Sequence, residues 1–404
     1  SMSKQYPLQG YRVVNFGWVF AGPYLATMLG DLGAEVIKVE TRSRIDSMRI
    51  SPDNLDRDPD RDPWFHSGVR NQLSITIDME QPKAIPLLKD LIRVSDIVIE
   101  NFSPRVMKAH GLDYESLTEI NPGLIMISLP AAGKYGPLRD AQTYGPSLTG
   151  LAGIDGLVGY PGERVLGLQQ AYADVNSSLH GVFAVLSALY YRKRTGKGQS
   201  IDMAQLEAVI SIAGEGIMEY TINGTVLEAQ GNRYPTMCPH NNYPCQGEDK
   251  WVSIAIKTEE EWHSFCEAIG QPSWATNERF SDKDSRQRNQ EELDRVISEW
   301  TINHTNYEVM EILQKAGVAA APCLDTEGRF FDPHLQERRT YLEVEHPVTG
   351  VDFVANTAWS LSENPTEIRC PSPSLGEHNS YVFRDLLGIA DNEIARLEAE
   401  KVIY

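Results

Sequence analysis

Arg12-Val13-Val14-Asn15-Phe16, a loop from Gly17 to Pro23, an apolar stretch from Tyr24 to Leu32, and Glu35-Val36-Ile37-Lys38-Val39-Glu40 follow one another directly. The first and last runs are short and rich in β-branched residues, as expected of strands buried on both faces. Between them, Leu25, Met28 and Leu29 fall on one side of a helix. Strand, helix, strand is a parallel βαβ unit with a right-handed crossover. Outward from it the alternation continues. Leu73 to Ile77 reads as a strand, Pro82 to Val94 as a helix, and Asp96 to Glu100 and Leu124 to Leu129 as further strands. The fold class is α/β with a mostly parallel sheet.

Two stretches depart from this rhythm. From Arg42 to Arg61, Asp, Arg and Pro dominate, which predicts an irregular loop that either covers a site or lies loose on the surface. From about Gly224 to Phe330 the chain holds Trp251, Trp262, Trp274 and Trp300, four of its seven tryptophans, which predicts a core of its own. Between these stretches, Asp174 to Arg194 is the strongest helix, with Leu179, Val182, Phe183, Leu186, Leu189 and Tyr190 at helical spacing. Gly196 and Gly198 end it, and Ile201 to Met218 reads as a second apolar helix. The expected organisation is a large domain from 4 to 223, a smaller α+β domain from 224 to 330, and a return to the large domain from 331 to 404.

The chain has 404 residues, 41% of them hydrophobic, enough for a large core. A formal net charge of -19 disfavours nucleic acid and anionic membranes as partners. No apolar run approaches a membrane span. Ser1 to Tyr6 lacks the apolar core of a signal peptide, and the five cysteines form no disulfide framework. A cytoplasmic location is expected.

Several chemistries fail at the level of spacing. Glu40 at the end of a second strand invites a dinucleotide reading, but Gly17-Trp18-Val19-Phe20-Ala21-Gly22 lacks the glycine fingerprint, so an NAD-dependent oxidoreductase is a remote alternative. Cys238, His240, Cys245 and His263 match no common zinc pattern, and no metal is expected. Asp174 stands out because it opens the apolar helix. It reads either as an N-cap or as a carboxylate in the field of a helix N-terminus, available as a nucleophile without a general base.

Several motifs together resemble the family III CoA-transferases, and the similarity covers almost the whole chain. They are Phe20-Ala21-Gly22-Pro23, Gly30-Asp31-Leu32-Gly33-Ala34-Glu35-Val36-Ile37-Lys38-Val39-Glu40, Val98-Ile99-Glu100-Asn101-Phe102-Ser103-Pro104, Tyr144-Gly145-Pro146, Ala173-Asp174, Arg194-Thr195-Gly196-Lys197-Gly198-Gln199-Ser200-Ile201-Asp202 and Leu375-Gly376-Glu377-His378-Asn379. The resemblance implies a Rossmann-like large domain built from both chain ends, with an inserted smaller α+β domain. It also implies an interlocked dimer, either a homodimer or a heterodimer with a paralogous subunit. Asp174 matches the family's catalytic aspartate, which passes through a mixed anhydride and an aspartyl-CoA thioester.

The family's coenzyme A contacts map onto Val19, Phe20, Ala21, Asn101 and Phe102. Gln72 stands where a basic residue is common, so Arg105 or Lys108 is expected to meet the phosphates. Related α-methylacyl-CoA racemases use a histidine ahead of the matching aspartate, and none occurs from Gly111 to Asp174. Racemisation is therefore the alternative and CoA transfer the leading reading. Phe20 and Gly145 replace the glutamine and glutamate that hold a small diacid in the oxalate enzyme. With Trp18 and Tyr144 beside them they predict a wider, less polar pocket. A bulky or aryl-substituted acid such as benzylsuccinate is then the expected acceptor, with succinyl-CoA as donor.

Overall fold

A computed structural model describes residues 6–364 and 366–404. The first residues of the chain, including Lys4 and Gln5 at the start of the expected large domain, lie outside the described residues. The chain divides into two compact units. The larger runs to Asp155 and adds Gly167–Val226 and Arg339–Tyr404; the smaller comprises Gly156–Leu166 and Leu227–Arg338.

The larger unit is organised on a six-stranded sheet of β1 (Arg12–Asn15), β2 (Glu35–Glu40), β3 (Gln72–Thr76), β4 (Ile97–Glu100), β5 (Ile125–Ser128) and β6 (Gln199–Asp202). The order is β3-β2-β1-β4-β5-β6 and every pairing is parallel. This is the doubly wound order, whose direction reverses between β1 and β4. Both faces are buried, which is why the strands read as continuous apolar runs. Val14, Ile37, Ile75, Val98 and Met126 face one core, shared with Leu88, Leu91, Val382, Phe383 and Leu397. Val13, Val36, Ile97, Ile125 and Ile127 face the other, shared with Leu25, Leu29 and Val185.

Two expectations change and one open choice is decided. The segment read as one helix from Ile201 begins instead as β6, which pairs with β5, and continues as helices Gln205–Ile210 and Gly214–Asn223. Ile201 alternates with polar neighbours at the sheet edge, so its local apolarity misleads. The stretch from Arg42 to Arg61 is not loose: Arg49 is fully buried and its guanidinium makes two 2.8 Å bonds to the Glu40 carboxylate. The long helix spans Tyr172–Thr195, and the spacing that marked it belongs largely to its outward face. Phe183 is 76% and Tyr190 65% exposed, whereas Gly181, Val185 and Ala188 are buried. At Gly181 a Cβ would stand 2.3 Å from Leu25 Cδ1, so glycine lets this helix approach the Ala21–Asp31 helix without moving the Leu25 side chain.

In the smaller unit, β7 (His240–Pro244), β8 (Trp251–Ala255) and β9 (Ala319–Cys323) form an antiparallel sheet. Its core gathers Trp262, Phe265, Phe280, Leu293 and Ile297, with Trp274 and Trp300 packed at its edge. Among the described residues, no helix is long and apolar enough to cross a membrane.

Candidate active site

A cleft of about 660 Å³ opens in the larger unit at the carboxyl ends of the parallel strands. Trp18 and Val19 follow β1, Thr41 and Arg44 follow β2, Asp78 follows β3, Asn101 and Phe102 follow β4, and Pro130 and Ala131 follow β5. A crevice at the switch point between β1 and β4 is where doubly wound sheets bind ligands. Tyr144, Gly145, Leu148, Asp174 and Gln205 complete its wall.

The turn after β1 is rigidly held. Asn101 uses its side-chain amide like a strand partner, accepting from Trp18 N–H and donating to Trp18 C=O, each at 2.8 Å. Val19 adopts φ 59°, which a β-branched residue avoids unless its surroundings impose it. Its N–H donates to the Asp46 carboxylate at 3.1 Å, and Asp46 is paired in turn with the buried Lys38. Lys38 Nζ also donates to Gly17 C=O at 2.9 Å. Gly17 and Gly22 meet backbone to backbone, since a Cβ on Gly17 would stand 2.7 Å from Gly22 Cα.

Asp174 is not an N-cap. The cap position is Ala171, and Asp174 sits inside the first turn of the Tyr172–Thr195 helix. Burial pushes its carboxyl up to about 6, partly offset by hydrogen bonding from its own backbone N–H and that of Ala21. Ala21 opens the other helix, so two helix N-termini converge on this carboxylate. Ser178 Oγ fastens them, lying 2.8 Å from Ala21 C=O and 2.7 Å from Asp174 C=O. Gly145 leaves the room the carboxylate occupies: a Cβ there would stand 2.6 Å from Asp174 Oδ2. The result is a half-buried carboxylate, mostly ionised near neutrality, desolvated and facing a cleft.

The structure brings together Trp18, Val19, Asn101, Phe102, Tyr144, Gly145 and Asp174 around this cleft. Ala21 lies behind the wall and offers its backbone. Phe20 turns away, stacking on Tyr24 at 5.3 Å and packing with Met48, Phe65 and Val69. Gln72 is buried and fully committed to Asn15, Pro23 and Thr27. Arg105 pairs with Asp140 at 2.8 Å, and neither it nor the exposed Lys108 lines the cleft. The cations that do line it are Arg44 and Arg139, which sequence reasoning missed. Arg44 lies 5.1 Å from the Trp18 ring, a contact between residues whose local sequence carries no sign of it.

Other reactive groups are committed elsewhere. Glu40, the supposed ribose ligand, is taken by Arg49 and by Ser74 Oγ at 2.6 Å. Burial pushes the thiols of Cys238 and Cys245 up to about 11. His66, His346 and Asp352 lie close enough to hold a cation. Each of their ring nitrogens is instead engaged: His66 with Asp352 and Asp60 C=O, His346 with Ser372 C=O and the N–H groups of Val348 and Thr349.

Comparison with known proteins matches residues 8–379 to the family described as CoA-transferase family III. A succinyl-CoA–D-citramalate CoA-transferase of Chloroflexus aurantiacus is 34% identical over 98% of both chains. The beta subunit of a succinyl-CoA–L-malate CoA-transferase from the same organism is 33% identical, again over 98% of both. The crystal structure of a CAIB/BAIF family protein from Brucella suis superposes with a TM-score of 0.87 at 31% identity, covering 95% of this chain and 100% of that one. The protein described here belongs to CoA-transferase family III.

Proposed function

We propose that Asp174 is the covalent relay of a transferase that takes CoA from succinyl-CoA and passes it to a short polar carboxylic acid. The observation that carries this reading is the desolvated Asp174 carboxylate at two convergent helix N-termini, facing a cleft at the sheet's switch point. In the proposed sequence an Asp174 oxygen attacks the thioester carbonyl and expels CoA thiolate, leaving a mixed anhydride. The thiolate attacks Asp174 Cγ and releases the donor acid, giving an aspartyl-CoA thioester. The acceptor carboxylate then attacks Cγ, and the freed thiolate attacks the new acyl carbonyl. Each step exchanges one anion for another, so no general base is required. The N–H groups of Ala21 and Asp174 are placed to hold charge developing on the aspartyl oxygens.

Asn101 and the strained Val19 shape the turn against which the coenzyme lies, and Arg44 and Arg139 are the proposed phosphate partners. An aryl acceptor such as benzylsuccinate rested partly on Phe20, which packs outside the cleft. The donor and the short acceptor are favoured by relatives whose names give succinyl-CoA with D-citramalate or L-malate. Racemisation is disfavoured because, among the described residues, no histidine lines the cleft to act as a second base. The proposed assembly is an interlocked dimer in the cytoplasm, with a second copy or a paralogous subunit covering the exposed face of the Tyr172–Thr195 helix.

The test is chemical trapping. Incubation with succinyl-CoA followed by hydroxylamine should abolish CoA exchange and convert the Asp174 side chain to a hydroxamate, seen by peptide mass spectrometry. Full activity with an unmodified Asp174 peptide refutes the reading.

A further inference from the structure

Two polar side chains in the cleft wall have hydrogen-bonding capacity that no described residue uses. Gln205 is 7% exposed and lines the cleft. Its Nε2 donates to Leu129 C=O at 2.8 Å. That contact fixes which way the amide faces, because only the nitrogen can meet a carbonyl oxygen. The Oε1 atom is thereby left as an acceptor, and no donor among the described residues meets it. Thr143 lines the same cleft, and its Oγ1 is buried without a partner among the described residues. Buried polar atoms such as Thr143 Oγ1 are nearly always satisfied, and exceptions call for an explanation. Gln205 and Thr143 both line the cleft that holds Asp174.

We infer that Gln205 and Thr143 recognise a hydroxyl group on the acceptor acid. The two are complementary to a hydroxyl: Gln205 Oε1 accepts its proton, and the Thr143 hydroxyl donates to its oxygen. The inference rests on the proposed CoA-transfer reading and adds the acceptor's chemical class, a short hydroxycarboxylic acid, with the residues that select it. A site built around such a pair discriminates against the analogue lacking the hydroxyl, because its own polar groups are then left unmade.

The test compares two acceptors that differ by one hydroxyl, L- or D-malate and isotopically labelled succinate, each with succinyl-CoA as donor. Exchange into succinate alone reports CoA transfer; its absence in the wild type would overturn the functional reading. The ratio of kcat/KM for malate to that for succinate reports the inference. This ratio is independent of the folded fraction, since both acids meet the same molecules. In Gln205→Met the ratio should fall about 3- to 10-fold, the usual worth of one neutral hydrogen bond. Thr143→Val should lower it similarly. It should also keep or raise the Tm, because it removes a buried hydroxyl that has no partner. A wild-type ratio that does not favour either malate enantiomer overturns the inference. So does equal loss for both acids in the two variants, which would place the unused acceptor against the coenzyme instead.

Discussion

The helices that open around the cleft and those of the smaller unit begin in different ways. The helices starting at Ala21, Gly145, Tyr172 and Gln205 follow Phe20, Tyr144, Ala171 and Ala204, none of which caps with its side chain. In the smaller unit, Thr258 and Thr305 form complete capping boxes with Glu261 and Glu308. Asp282, Asp325 and Asp332 cap three more helices there. A side-chain cap is worth about 1 kcal/mol and satisfies one orphan N–H. Around the cleft that stabilisation is forgone, and the first-turn N–H groups stay available for a carboxylate and for the charge that develops in catalysis. Helices of the larger unit away from the cleft, such as Ala84–Arg93 and Asp391–Ala399, also begin without side-chain caps, so at the rim the open N–H groups matter because a reacting carboxylate meets them.

The largest expected effect comes from removing the group on which the uncapped helices converge. Asp174→Asn should lower kcat/KM by roughly 10⁴-fold or more, as loss of a covalent nucleophile does. The same variant should be more stable than wild type at pH 8. The sign follows from linkage. Folding raises the Asp174 pKa from 3.8 to about 6, so the ionised form is penalised in the folded state. That penalty is absent below the unfolded pKa and complete above about pH 6. The gain should therefore be about 1–3 kcal/mol at pH 8 and vanish near pH 4, as chemical denaturation at the two pH values would show. Equal stability at pH 8 would mean that the carboxylate is not desolvated.

Next in size is the room left for that carboxylate. Gly145→Ala puts a methyl 2.6 Å from Asp174 Oδ2 and 3.2 Å from Ala171 Cα. The backbone at Gly145 is not left-handed, and a shift of a few tenths of an ångström relieves the Ala171 contact, so the fold should persist while kcat falls about 100-fold, the cost of a misplacement of about 1 Å. Unchanged kcat with a folded variant would show that the carboxylate has another productive position.

The pH profile is gentler. Because Asp174 reacts as the anion, kcat/KM should fall about tenfold for each pH unit below about 6, with a slope of one. Smallest is the control in the other unit. Thr258→Ala should cost about 1 kcal/mol of stability while leaving CoA exchange intact. A matching loss of activity would break the contrast between the two regions.

Much of the larger unit was legible because its signals are local. Glu35–Glu40 is a strand with the expected bounds, and the spacing around Tyr24–Leu32 predicts a helix that proves to start earlier, at Ala21. Asp174 was legible through its motif, although its place in the helix was not, because the two residues before it already have helical geometry. Long-range pairing hid the rest. Nothing near Arg105 reveals that Asp140 has claimed it, and nothing near Gln72 reveals Thr27 and Pro23. Likewise β6 is a strand because β5 is beside it, not because of its own composition. The unused atoms of Gln205 and Thr143 emerge only once every other partner has been placed.

The way the larger unit is threaded also bears on its birth. Val382, Phe383, Leu397, Val402 and Ile403 complete the core beneath the first strands. On the ribosome they emerge only after residues 227–338, which belong to the smaller unit. At about 5–20 residues per second, that interval lasts roughly 5–20 s. Until those residues emerge, one face of the nascent sheet is covered only in part, by Leu88, Leu91, Leu112 and Leu117, whereas the stretch holding the tryptophan core is already in hand. Chains stalled at Arg338 should then be cut readily by protease before Asp155 and resist it between Leu227 and Arg338. Slower decoding of that stretch should lengthen the window in which chaperones must hold the unfinished half.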